Sequence, residues 1–151
     1  MKEIKIFLFV LFTFATCFGL VNSAIVPQAS STLPGGKSLK EGEYLDSGNG
    51  YYAVMQSDGN LVLYRTRNWI PSNAYWHTNT SGFGKPKYRL VMQTEGNLFI
   101  EDSRKLKYFT TRTYKVGKKP YKLILQTDAN LVLYDGDNKP IWASNTGTGF
   151  G

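Results

Sequence analysis

The chain has 151 residues, a formal net charge of +7, one cysteine and one histidine. A single cysteine excludes a framework of intrachain disulfides, and the single histidine, His77, has no nucleophile-base motif or metal-ligand cluster beside it in the sequence. Stability must therefore come from apolar burial.

At the N-terminus Lys2 and Lys5 precede an apolar stretch, residues 6–20, and the small residues Ser23 and Ala24 follow. That layout is expected of a secretory signal peptide spanning residues 1–23, because the apolar run falls short of the about 20 residues a membrane span needs. Cleavage would remove Cys17 and leave 128 residues with a net charge of +6, a length that supports one core-bearing domain. The mature, secreted chain would then hold no thiol and no disulfide. Residues 24–32 read as a short linker or edge, and 33–151 as a single domain.

Within that domain Gln56 to Tyr64 (QSDGNLVLY) returns as Gln126 to Tyr134 (QTDANLVLY), with an altered copy at Gln93 to Glu101 (QTEGNLFIE). The three glutamines are 37 and then 33 residues apart, and each copy is followed by a second word: Trp76 to Thr80, Phe109 to Thr113 and Trp142 to Thr146. Repeats of about 33–80, 81–113 and 114–151 follow. A period of this size marks supersecondary units that must pack on one another to bury their apolar faces, so three units imply pseudo-threefold symmetry.

No stretch carries a 3.6-residue apolar rhythm. Short β-rich runs at 51–56, 61–64, 88–93, 98–100, 121–126 and 131–134, separated by Gly, Asn, Asp and Pro, predict an all-β domain. In each repeat the turn signal between two runs predicts a tight hairpin. Alternation then places Ala53, Met55, Leu61 and Leu63 on one face and Gln56, Asn60, Val62 and Tyr64 on the other. Trp76, Phe109 and Trp142 are expected to fill the shared centre, and His77 to face solvent.

The outer set offers an amide, a carboxylate, a second amide and a phenol, a mixture of donors and acceptors suited to sugar hydroxyls. Val62 adds an apolar patch for a sugar C–H edge. Asp and Asn also build turns, so part of the motif is expected to serve the hairpin itself. In the middle copy the turn survives while three outer positions change.

The pattern Gln-x-Asp-x-Asn-x-Val-x-Tyr, with Leu39 to Glu43 and Trp142 to Thr146 around it, resembles the bulb-type, monocot mannose-binding lectin-like family over essentially the whole mature chain. The resemblance implies a β-prism II fold of three four-stranded antiparallel sheets, one pocket per sheet, and mannose as ligand. It implies that Asp and Asn engage the 2-hydroxyl, Gln the 3-hydroxyl and Tyr the 4-hydroxyl. Site 1 would comprise Gln56, Asp58, Asn60, Val62 and Tyr64, and site 3 Gln126, Asp128, Asn130, Val132 and Tyr134. The middle set, Gln93, Glu95, Asn97, Phe99 and Glu101, is expected to be weak or dead, because Glu95 is one methylene too long and Glu101 lacks the phenol. The chain departs from plant members in lacking their usual disulfide. It also has little sequence after Trp142 with which to form the strand-exchanged homodimer of the family.

The expected function is thus a secreted, mannose-specific, non-enzymatic lectin with no cofactor and no metal, agglutinating or defensive in role. Gly36-Lys37-Ser38 lacks the earlier glycine of a phosphate loop, and Asn79-Thr80-Ser81 is a glycosylation sequon. A rival reading comes from charge: residues 85–122 hold eleven Lys or Arg against three acidic residues, whereas the rest of the mature chain has five against seven. Lys85, Lys87, Arg89, Arg104, Lys105, Lys107, Lys115, Lys118, Lys119 and Lys122, interleaved with Tyr88, Tyr108, Tyr114 and Tyr121, could engage an anionic polysaccharide or cell surface. Nucleic acid is not the expected partner.

Overall fold

The structure, a computed structural model, describes residues 30–148. The expected signal peptide and Cys17 lie outside the described residues. Twelve strands run in order: β1 (Thr32–Pro34), β2 (Ser38–Lys40), β3 (Tyr44–Asp46), β4 (Tyr52–Met55), β5 (Leu61–Tyr64), β6 (Ala74–His77), β7 (Arg89–Met92), β8 (Leu98–Glu101), β9 (Lys107–Thr110), β10 (Lys122–Leu125), β11 (Leu131–Tyr134) and β12 (Pro140–Ala143). They form three four-stranded antiparallel sheets: a first sheet β3-β4-β5-β6, a middle sheet β2-β7-β8-β9 and a last sheet β1-β10-β11-β12. The β-rich runs predicted an all-β domain and the repeats its threefold character, and the three four-stranded sheets are those that the family resemblance implied.

Each repeat supplies three strands of one sheet, and the fourth comes from the N-terminal run. β1, β2 and β3 follow one another in sequence yet pair with β10, β7 and β4, one in each sheet. The segment read as linker or edge enters this scheme, since Thr32 opens β1 and the carbonyls of Ser30 and Ser31 accept from the N–H groups of Asp46 and Leu125.

Alternation along the strands builds one core. Leu61 and Leu63, Leu98 and Ile100, and Leu131 and Leu133 are fully buried, as are Met55 and Met92 from the preceding strands. Trp142 meets Trp76 and Phe109 edge to face, with ring centroids 6.1 Å apart in both pairs. All three rings are half-buried and pack against the leucine core, whereas the sequence pattern had placed them as the fill of its centre. Such pairs add about 1 kcal/mol each to area burial, and their symmetry explains why an aromatic recurs in every repeat.

Turn chemistry fixes the hairpins. The third residue of each turn is left-handed, with φ of 91° at Gly59, 88° at Gly96 and 75° at Ala129. Glycine is required at the first two because a tyrosine of the next repeat packs beneath them. A Cβ on Gly59 would lie 3.0 Å from Tyr88, and one on Gly96 2.6 Å from Tyr121. Tyr88 and Tyr121 are therefore core residues, 4% and 3% exposed, and not members of a surface array interleaved with lysines.

Candidate functional site

On the outer face of the first sheet the hairpin uses part of its polar set to hold its own shape. Asp58 Oδ1 accepts from the N–H of Asn60 at 3.0 Å, and Asn60 Oδ1 accepts from the Thr78 hydroxyl at 2.9 Å and the Thr80 N–H at 3.2 Å. Asn60 thereby ties the hairpin to the strand exit after Trp76. Its Nδ2 has no partner among the described residues and stays available for a ligand.

Gln56 Nε2 donates to the Tyr64 phenol at 2.7 Å, which leaves the Gln56 carbonyl as an acceptor and the phenolic proton as a donor. A β-bulge between Leu63 and Tyr64 turns this tyrosine as it leaves the strand. The Asp58 carboxylate, accepting a 2.6 Å bond from the Ser81 hydroxyl on Oδ2, completes the set. These groups converge on a cavity of about 460 Å³ floored by Val62.

The same constellation stands on the last sheet. Asn130 N–H donates to Asp128 Oδ1 at 3.0 Å, Ser144 and Thr146 donate to Asn130 Oδ1, and Gln126 Nε2 donates to the Tyr134 phenol at 2.8 Å. Gln126, Asn130, Val132 and Tyr134 line a cavity of about 410 Å³. Asp128 stands at its turn, half-buried. Gly147 occupies the position of Ser81, and its missing side chain leaves Asp128 Oδ2 without a partner among the described residues.

In the middle sheet these groups are consumed. Asn97 still accepts from Thr111 and Thr113, but its Nδ2 now donates to the Thr110 hydroxyl at 3.1 Å. Thr110 stands where the other sheets carry His77 and Ala143. Glu95 accepts from the Thr94 hydroxyl and from Lys119, which together hold its carboxyl below the usual carboxylate range. Glu101 is paired with Arg89 and with Lys105, and the Lys107 ammonium sits 4.1 Å over the Phe99 ring. The chain thus brings the predicted residues of sites 1 and 3 together as open sets and closes the middle set on itself.

No family model matches the sequence. At the sequence level the chain is 41% identical over 69 residues to a mannose-specific lectin of Narcissus pseudonarcissus, a match covering 46% of this chain and 57% of that one. The sequence matches to this and the related lectins span about half the length of those relatives. The monomeric monocot mannose-binding lectins of Gastrodia elata superpose with a TM-score of 0.68 at 40% identity, covering 78% of this chain and 99% of theirs. The chain belongs to the monocot mannose-binding lectin family. The snowdrop (Galanthus nivalis) agglutinin, solved with methyl-α-D-mannoside, superposes with a TM-score of 0.62 at 34% identity, covering 80% of this chain and all of that one. Lectins are non-enzymatic carbohydrate-binding proteins, and among the described residues no group of three or more His, Cys, Asp or Glu could hold a metal ion.

Within this family frame, four residues of the first cavity, Trp69, Pro71, Ala74 and His77, were not assigned to the site from sequence. Trp69 and Pro71, from the nine-residue loop between β5 and β6, line the cavity with Val62 and Tyr64, and His77 lines it from the strand position paired with Val62. The corresponding loops of the other repeats have five residues. His77 is exposed, as alternation predicts, but its neighbours are the polar set rather than bulk solvent alone. Trp69 packs edge-on to Tyr44 at 5.1 Å and covers Tyr64, which is 3% exposed. Burial accordingly pushes the Tyr64 phenol above its ordinary pKa, with the bond from Gln56 opposing and the charge of Asp58 adding to the rise. The signal available in the sequence was the four-residue excess of the first repeat spacing over the second.

Proposed function

We propose that this chain is a secreted lectin that binds terminal mannose through two pockets, one on the first sheet and one on the last. The supporting observation is the duplicated convergence of an uncommitted Asn Nδ2, a Gln carbonyl and a Tyr phenol above a valine, with an Asp carboxylate lining the first cavity and standing at the turn beside the last. Asp and Asn would take the 2-hydroxyl, Gln the 3-hydroxyl and Tyr the 4-hydroxyl, with Val62 or Val132 against the ring C–H edge. Charge-assisted bonds from sugar hydroxyls to Asp58 or Asp128 carry most of the selectivity.

An open site with a handful of hydrogen bonds binds a monosaccharide at about millimolar strength, near −4 kcal/mol. Two pockets on different sheets let one chain engage two mannoses, and multivalent engagement adds about a hundredfold or more on a dense glycan. That supports agglutination of mannose-bearing cells and a defensive role. Asp58→Ala with Asp128→Ala should abolish binding to mannan, and normal binding by that double variant would refute the assignment.

A further inference from the structure

The outer face of the middle sheet carries cations where the other two carry sugar-facing groups. One cross-strand row there reads Lys40, Arg89, Glu101, Lys107. The equivalent rows read Asp46, Tyr52, Tyr64, Ala74 in the first sheet and Pro34, Lys122, Tyr134, Pro140 in the last. The negative charge of Glu101 is taken up by Arg89 and Lys105. Lys40, Lys87, Lys107 and Arg112 have no acidic partner among the described residues.

Two concavities flank this row. One, of about 450 Å³, is lined by Lys40, Lys87, Arg89 and Lys105 together with Glu41 and Asp102. Both of its acids are already engaged: Glu41 accepts from the N–H groups of Lys87 and Tyr88, and Asp102 from Arg104 and the N–H groups of Lys85, Arg104 and Leu106. The other, of about 320 Å³, is lined by Lys107, Thr110 and Arg112 with no acidic residue, and occupies the place of the outer half of the last sheet's sugar cavity.

We propose that the middle sheet is a binding site for an acidic polysaccharide, sulfated or carboxylated, laid across the strands from the Lys40 and Lys87 side to Lys107 and Arg112. Four strands at about 4.8 Å spacing set Lys40 and Lys107 about 14 Å apart, so one ligand reaching both must carry several anionic groups. A single-stranded nucleic acid would need exposed rings for base stacking. Tyr88 and Tyr121 are buried, and Tyr108 donates its phenol to Asp102 and stacks its ring on Phe83. Tyr114 and Phe83 are exposed, at 55% and 56%, but neither stands in the cross-strand row or lines either concavity. The two concavities offer ionic and hydrogen-bonding groups, which fits a charged sugar chain.

The test is retention of the full mature chain on immobilised heparin, read as the salt needed for elution and as Kd in solution. The site is distinct from the mannose pockets, so retention should persist in Asp58→Ala/Asp128→Ala and be insensitive to free mannose. Lys107→Gln/Arg112→Gln and Lys40→Gln/Lys87→Gln should each weaken heparin binding about fivefold, the scale of two exposed ionic contacts, and should do so without altering mannan binding. Lys122→Gln/Lys139→Gln removes equal charge from the last repeat, where neither lysine has an acidic partner among the described residues, and should change heparin binding less than twofold. No retention of the parent chain at low salt would overturn the proposal. So would an equal effect of the control pair, or tighter binding to a single-stranded oligonucleotide of matched charge or to vesicles rich in anionic lipid.

Discussion

The first and middle sheets share one register and one hairpin frame, and differ in what they lay on it. In both, the turn asparagine accepts from two groups of the strand exit, Thr78 and Thr80 in one and Thr111 and Thr113 in the other. In both, a bulge follows the last core residue of the second hairpin strand. On the first sheet that frame supports Asp58, the free Nδ2 of Asn60 and Tyr64. On the middle sheet it supports Glu95, an Asn97 already donating to Thr110, and Glu101 clamped by two cations. The motif therefore divides its atoms: Asn Oδ1 ties the hairpin to the strand exit in both sheets, and Asn Nδ2 lacks a partner among the described residues only in the first of the two.

The largest expected effect comes from deleting the carboxylates. Titration calorimetry with methyl mannoside should give two sites per chain for the parent, one for Asp58→Ala or Asp128→Ala, and none for the pair. Glu95→Ala should leave the count unchanged. Next in size is the shared hub: Trp142→Ala should cost about 2–3 kcal/mol in denaturant unfolding, because a half-buried ring that touches an aromatic of each other repeat is removed. A loss confined to one sheet in hydrogen exchange would show that the hub does not couple them.

A moderate effect is expected at the wall unique to the first sheet. With Asp128→Ala in place to silence the last sheet, Trp69→Ala should weaken mannose binding about tenfold, as burial of a large aromatic contact is lost. It should also return the Tyr64 phenol towards its ordinary pKa of about 10, measurable by ultraviolet titration. Smaller still, Ser81→Ala should weaken the first site by about two- to fivefold through loss of one hydrogen bond that orients Asp58. The last site, which has Gly147 at that position, should not respond.

The smallest effect is one of pH. Asp102 and Asp135 hold the five-residue loops of the middle and last sheets through backbone N–H bonds, whereas the first repeat has Arg65 at that position. Burial opposes the charge of Asp102, but bonds from Arg104 and from backbone N–H groups outweigh it and leave its carboxyl well below the usual range. Asp135 is lowered chiefly by the N–H of Lys139. A depressed folded value means that the stabilisation is complete above the unfolded carboxylate value of about 3.9 and is lost as pH falls through the lower folded value. Amide exchange at Leu106 and Lys139 should accelerate in that acid window, with no matching change in the loop following Tyr64.

The three hairpins, their inward leucines and the aromatic hub were legible because each rests on a local pattern repeated three times. The outer strands were not. Thr32–Pro34, Ser38–Lys40 and Tyr44–Asp46 are three residues each, and each pairs with a different sheet, a non-local choice that local periodicity does not encode. Tyr88 was legible and misassigned to the surface: it shares the strand parity of Leu90 and Met92, both fully buried, as Tyr121 shares that of Leu123 and Leu125. The insertion carrying Trp69 was visible as a spacing difference, but only the fold lays it against Val62 and Tyr64. The closure of the middle site was half legible. Glu95 and Glu101 announced it, while the bond from Asn97 to Thr110 required strand pairing across β8 and β9.

The most direct measurement is a crystal structure of residues 24–151 soaked in methyl α-mannoside. Sugar density should stand over Val62 between Gln56, Asp58, Asn60 and Tyr64, and over Val132 between Gln126, Asp128, Asn130 and Tyr134, with none over Phe99. Density on the middle sheet, or none on either of the other two, would contradict the division of labour described above.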